Sequence, residues 1–104
     1  MKRICVFCGA SAGKKKVYIE AAEILGRVLA KKKISLVYGG GKVGIMGHLA
    51  KACLDSGGEV IGVIPQKLYD WGLAYKRVSR LHVVGSMHER KAMMSELSDG
   101  FIAL

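Results

Sequence analysis

The sequence predicts an α/β fold: a parallel sheet with helices on both faces. Three observations predict it. Short apolar runs alternate with segments of helical period along all 104 residues. The runs are apolar almost throughout, as strands buried on both faces are, rather than alternating. The connections between them are short, which suits strand–helix–strand units.

Arg3 to Cys8 (RICVFC) reads as the first strand, and Gly9 to Gly13 as a loop of small residues. A helix is expected from about Lys16 to Lys32. Val17, Ala21, Ile24, Leu25, Val28 and Leu29 recur on it at helical spacing as one apolar face. Ile34 to Tyr38 is the second strand. The next helix carries Ile45, Leu49, Ala52 and Cys53 on one face and stops at Ser56-Gly57-Gly58. Glu59 to Ile64 is a third strand, closed by Pro65. Gln66 to Arg80 has no clear period and is expected to be a loop with a short helix. Leu81 to Val84 is a fourth strand. Ser86-Met87-His88-Glu89 is an S-x-x-E capping box that opens a helix to about Ser98. Gly100 to Leu104 is a fifth strand. No internal repeat, linker or low-complexity segment interrupts this order, so one domain is expected.

Composition excludes several classes. Half of the residues are hydrophobic (51%), well above a disordered chain. No apolar run approaches the ~18 residues of a membrane span. The start, Met1-Lys2-Arg3-Ile4-Cys5, lacks a signal-peptide pattern, so no membrane role and a cytoplasmic address are expected. Cysteines number three, an odd count that argues against a disulfide framework. Cys5 and Cys8 form a C-x-x-C with no second pair to complete a zinc site, and read as ordinary thiols; no metal is expected. The net charge of +9 raises nucleic acid as a partner. Six of the positive residues lie in Lys14-Lys15-Lys16 and Lys31-Lys32-Lys33, at the two ends of one helix. No aromatic residues interleave them, so a solvated face is the simpler account and nucleic acid is not expected.

The stretch Tyr38-Gly39-Gly40-Gly41-Lys42-Val43-Gly44-Ile45-Met46-Gly47 carries the chemistry. Glycines between a strand and a helix let the backbone turn tightly and leave helix-start amides facing outward, which suits a phosphate. Gly39, Gly41 and Gly44 satisfy G-x-G-x-x-G, but after the second strand. The next strand ends in Pro65-Gln66 rather than the acidic residue a dinucleotide ribose wants. Gly9 to Lys15 is one residue short of a P-loop and offers Lys15 where Ser or Thr should hold magnesium. Tight packing with no ligand is the alternative for both loops. Arg90 and Lys91 stand in the first turn of a helix, where cations oppose the dipole and an anion would compensate. The alternative is a solvent-exposed pair. His88 is expected to be exposed and Glu89 to serve the cap. Tyr69, Trp71 and Tyr75 are candidates to stack on a base, or simply to pack.

Cys8-Gly9-Ala10-Ser11, the Tyr38 to Gly47 stretch, and Ser86-Met87-His88-Glu89-Arg90-Lys91 followed by Asp99 to Leu104 together resemble the LOG (LONELY GUY) family. These are the cytokinin riboside 5′-monophosphate phosphoribohydrolases, long labelled lysine decarboxylases. The resemblance covers the whole chain. It implies a Rossmann-like fold, a homodimer, and cleavage of the N-glycosidic bond of AMP or N6-modified nucleoside monophosphates, with no cofactor. It implies Arg90 as the catalytic, substrate-contacting arginine and Lys91 as its neighbour in the site. Met87 and Ser86 would belong to the pocket wall. Gly40, Gly41 and Gly44 would shape the nucleotide crevice, and Ala10 and Ser11 the first loop. Relatives of the fold also bind nucleotide-like cofactors, molybdenum cofactor included, so a non-catalytic carrier is the alternative function.

The chain departs from the family pattern twice. A P-G-G-x-G-T-x-x-E stretch, source of the phosphate loop and the catalytic glutamate, would follow a strand like Phe101 to Leu104, where these residues stop. The expectation is a domain incomplete at its C-terminus and a 104-residue chain inactive alone. The family's acidic residue before the fourth strand falls on Gly72. Asp99 and Glu96 are expected on the wrong side of the sheet to replace the glutamate. Nothing marks the Schiff-base lysine and acidic partner a pyridoxal decarboxylase needs.

Overall fold

Tyr38, Leu36, Ile61, Val63 and their strand neighbours are wholly buried because helices cover both faces of the sheet they form. The structure, a computed structural model, describes residues 2–8 and 16–104. The strands are β1 (Arg3–Phe7), β2 (Ser35–Tyr38), β3 (Val60–Pro65), β4 (Arg80–Val84) and β5 (Gly100–Ala103). The helices are α1 (Lys16–Lys31), α2 (Gly44–Asp55), the short α3 (Gln66–Asp70) and α4 (Met87–Leu97). The strands pair in parallel in the order β4-β3-β2-β1-β5.

Successive residues of a strand point to opposite faces. Val6 joins a core cluster with Leu29, Leu36, Leu49 and Cys53, under α1 and α2. Its neighbour Cys5 joins Val37, Ile61, Val63 and Met94, under α4. The chain therefore steps from β1 to β4 toward one edge with α1 and α2 on one face. Then α4 returns it across the other face to lay β5 on the far side of β1. The direction of winding reverses at β1. Ligands of open α/β sheets bind outside the strand ends at such a reversal.

Helix α1 buries Ala22, Gly26 and Leu29. Val17 (62% exposed), Ile24 (54%) and Val28 (39%), expected on the core face, are exposed. The reason is Gly26. A Cβ there would lie 2.6 Å from the Leu49 carbonyl oxygen and 2.9 Å from the Cys53 amide nitrogen. The two helix backbones meet at that glycine. The small residues Ala22 and Gly26 therefore set the packing face, roughly two fifths of a turn from the large apolar ones.

Asp99 closes the sheet. Its amide donates to the Arg3 carbonyl and its carboxylate accepts from the Arg3 amide, each at 2.8 Å. Asp99 thus sits at the amino ends of the strands, as its position before β5 implied. Among the described residues no helix is long and apolar enough to cross a membrane.

Candidate functional site

In the loop after β2, the carbonyls of Gly39, Gly40 and Gly41 are each claimed by a protein donor. Gly39 O accepts from Arg90 Nη2. Gly40 O accepts from the Tyr75 amide at 2.9 Å. Gly41 O accepts from the Tyr38 hydroxyl, also at 2.9 Å. The Lys42 amide donates to Leu73 O at 3.0 Å, so the loop pairs with the segment before β4 at Gly41 and Ala74. Two glycines are needed for their backbone. Gly40 has φ +79° and Gly44, the first residue of α2, has φ +64°. Tyr38 is fully buried, and burial raises its pKa, which keeps the phenol protonated as a donor.

Helix α4 begins at a working cap. Ser86 Oγ accepts from the Glu89 amide at 3.1 Å. The return half of the capping box differs from expectation. The Glu89 carboxylate accepts from the Gly85 amide, at 3.2 Å, rather than from that of Ser86. Gly85 is the residue that brings its amide within reach, and the glutamate still remains in the cap. At the fourth position of this helix, the half-buried Arg90 lies across the sheet end. Its Nε donates to Val63 O of β3 at 2.9 Å and its Nη2 to Gly39 O after β2. Its Nη1 lies 3.7 Å from Met87 Sδ. Burial pushes the guanidinium pKa below its usual value, with Tyr38 opposing the shift.

These elements enclose a cavity of about 340 Å³ at the carboxyl ends of β1 and β2. Val6, Phe7, Cys8, Met46, Met87 and Met94 give it apolar, sulfur-rich walls, while Arg90 and Lys91 supply positive charge. Among the described residues no Asp or Glu lines it. Burial pushes the Cys8 thiol up to about 11. No cluster of His, Cys, Asp and Glu among the described residues could hold a metal ion.

Met87, Arg90 and Lys91 therefore converge on one cavity. Ser86 caps α4 and is not part of that cavity's wall. Gly41 lies behind it, where an added Cβ would be 3.2 Å from Met46 Sδ. Gly44 opens on a separate depression of about 310 Å³ beside Lys42, His48 and Lys51. Ala10, Ser11 and the whole Gly9 to Lys15 loop lie outside the described residues. His88 is exposed. None of the three aromatic candidates lines the cavity. Trp71 is exposed under Lys67 Nζ, Tyr69 lies under Lys76 Nζ, and Tyr75 packs on the α1–α2 side of the core. Gly72 has φ +77° just after α3, a conformation that an acidic residue would adopt only with strain. Gly39, Cys8 and Met46 stood inside the motifs without being assigned to the site, and Phe7 was not singled out. Their common signal is position: each ends a strand or opens the helix after one.

A family model described as "Possible lysine decarboxylase" matches residues 46–104. The chain belongs to this family, the LOG family. A cytokinin riboside 5'-monophosphate phosphoribohydrolase of Rhodococcoides fascians is 52% identical over 104 residues, 99% of this chain and 52% of that protein. A probable enzyme of the same name from Oryza sativa subsp. japonica is 50% identical over 103 residues, 99% of this chain and 45% of its own length. The chain thus spans about half the length of the curated LOG relatives it matches. Its fold matches the molybdenum cofactor binding protein of Rippkaea orientalis with TM-score 0.85 and 25% identity, over 98% of this chain and 61% of that one. The molybdenum cofactor carrier protein of Chlamydomonas reinhardtii matches with TM-score 0.83 at 24% identity, over the same shares, 98% and 61%. The LOG fold is thus Rossmann-like in this chain, with its cavity at the reversal beside β1.

Proposed function

We propose that the protein hydrolyses the N-glycosidic bond of AMP or N6-modified nucleoside 5′-monophosphates, releasing free base and ribose 5-phosphate. The observation that carries the reading is Arg90. Its guanidinium is clamped by two backbone carbonyls and edges an apolar cavity of about 340 Å³, with room for more than a base alone. Names of relatives about half identical over nearly the whole chain support the same chemistry. In this reading the sulfur-lined walls take the base, and Arg90 with Lys91 holds the anionic part of the substrate. Positioning by a fixed arginine removes orientational freedom before the bond breaks. Cleavage builds oxocarbenium character on the ribose, which a carboxylate stabilises, or relieves by activating water. No described residue of the cavity supplies that carboxylate, and the relatives extend over about twice the length matched here. A cytoplasmic homodimer completes the proposal, on the family resemblance.

The test is release of adenine from AMP, followed by chromatography. The expected outcome is turnover by the protein as the cell makes it, at least 100-fold loss in Arg90→Ala, and none from residues 1–104 alone. Full turnover by Arg90→Ala would sink the role given to Arg90. A lining without Asp or Glu among the described residues favours one second reading, a carrier that binds nucleotide-like molecules without cutting them. Tight AMP binding with no product would select it.

A further inference from the structure

We propose that Gly39 is the positioning residue for Arg90, which deepens the reading of this site given above. Gly39 does two things here, and the second is open to glycine alone. Its carbonyl accepts from Arg90 Nη2, the second of the two bonds that fix the guanidinium plane. Its missing side chain leaves the space the guanidinium fills. A Cβ on Gly39 would sit well inside contact distance of Nη2 and 3.1 Å from Cζ. Conformational freedom is not the reason for this glycine. Positive φ occurs at Gly40, Gly44, Gly57 and Gly72 among the described glycines, and not at Gly39. Alanine would therefore fit the backbone and displace the arginine. The other atom in the way, Met46 Sδ at 3.1 Å, belongs to a flexible side chain that yields easily.

The loop is held so that it cannot move aside. Gly40 O is tied to the Tyr75 amide and Gly41 O to the Tyr38 hydroxyl, with Tyr38 itself fully buried in the core. A guanidinium pushed off Gly39 O also loses its alignment with Val63 O, because one planar group serves both carbonyls. The arginine then reaches the cavity from a different place.

A double-mutant cycle tests this, with Gly39→Ala, Arg90→Ala and the double variant made in the protein as the cell produces it. Melting temperature and kcat/KM for AMP are both read. Gly39→Ala is expected to lower kcat/KM about 100-fold, as a displaced catalytic group does, and to lower the melting temperature by several degrees. In the Arg90→Ala background the same change should cost little of either, since only the yielding Met46 side chain then remains in the way of the Cβ. If Gly39→Ala fails to fold, recovery of folding in the double variant supports the proposal, and failure of both overturns it. Equal stability losses in the two backgrounds, or kcat/KM of Gly39→Ala within threefold of the parent, would overturn it as well. Should Arg90→Ala retain full turnover, the functional reading falls, and the coupling in melting temperature still decides whether Gly39 positions Arg90.

Discussion

Cys8 stands at the mouth of the cavity with its thiol pKa raised by burial to about 11. At neutral pH it is a protonated thiol, a poor nucleophile despite its address. Alkylation by iodoacetamide at pH 7.4, followed by mass spectrometry, should run about tenfold or more slower at Cys8 than at a free thiol. Equal rates would contradict the burial. The C-x-x-C spacing reads as two unrelated thiols for a geometric reason: Cys5 packs under α4 and Cys8 against the opposite cluster. Residue by residue, local signals were legible. The Ser86 cap bonds within three residues, so its partner lies in the same short stretch of sequence. Arg90 stood out as a cation at a helix start. What fixes it was not legible, because its partners are the backbone oxygens of Gly39 and Val63, 51 and 27 positions away. No side-chain identity records a carbonyl.

At the scale of elements, α1 and α2 depend on one small residue. Gly26→Ala should destabilise the fold by about 1–3 kcal/mol, the usual cost of overpacking a tight contact, as measured by urea denaturation. An unchanged midpoint would mean the two helices separate freely. At the far end of α2, Asp55 accepts from Lys51 Nζ and from Arg77 Nη2, both at 2.8 Å. Arg77 belongs to the segment before β4, so the pair links two elements. Hydrogen bonds from Lys51 and then Arg77 hold the Asp55 carboxyl below its usual value. A lowered pKa in the folded state stabilises above the unfolded value and is lost as pH falls through the folded one. Stability should therefore decline on acidification through the region around and below pH 4, with a shallower decline in Asp55→Asn, read from melting curves at stepped pH. The α1 face shows why elements are easier to find than to orient. Periodicity marked the large apolar residues Val17, Ile24 and Val28, while contact follows the small ones.

Across the whole molecule, strand existence was readable because buried strands are continuous in composition. Strand order was not, since nothing local distinguishes a fifth strand beside β4 from one beside β1. The sheet's centre and edges differ in burial, and hydrogen exchange should report it. Amides of β2 and β3, buried at every position, are expected to exchange far more slowly than those of β5, where burial alternates. Comparable rates in the three strands would show that β5 is covered as fully as the centre. The placement of β5 also has a consequence for the protein's birth on the ribosome. Strand β1 emerges first, yet the contact that closes its outer side, Arg3 to Asp99, spans 96 positions. Until that late segment leaves the exit tunnel, the nascent sheet carries β1 as a bare edge. Phe7 then lacks the stacked ring of Phe101. An unpaired edge beside apolar side chains invites pairing with a neighbouring nascent chain. Chaperone capture of the unfinished chain should therefore be strongest just before β5 appears.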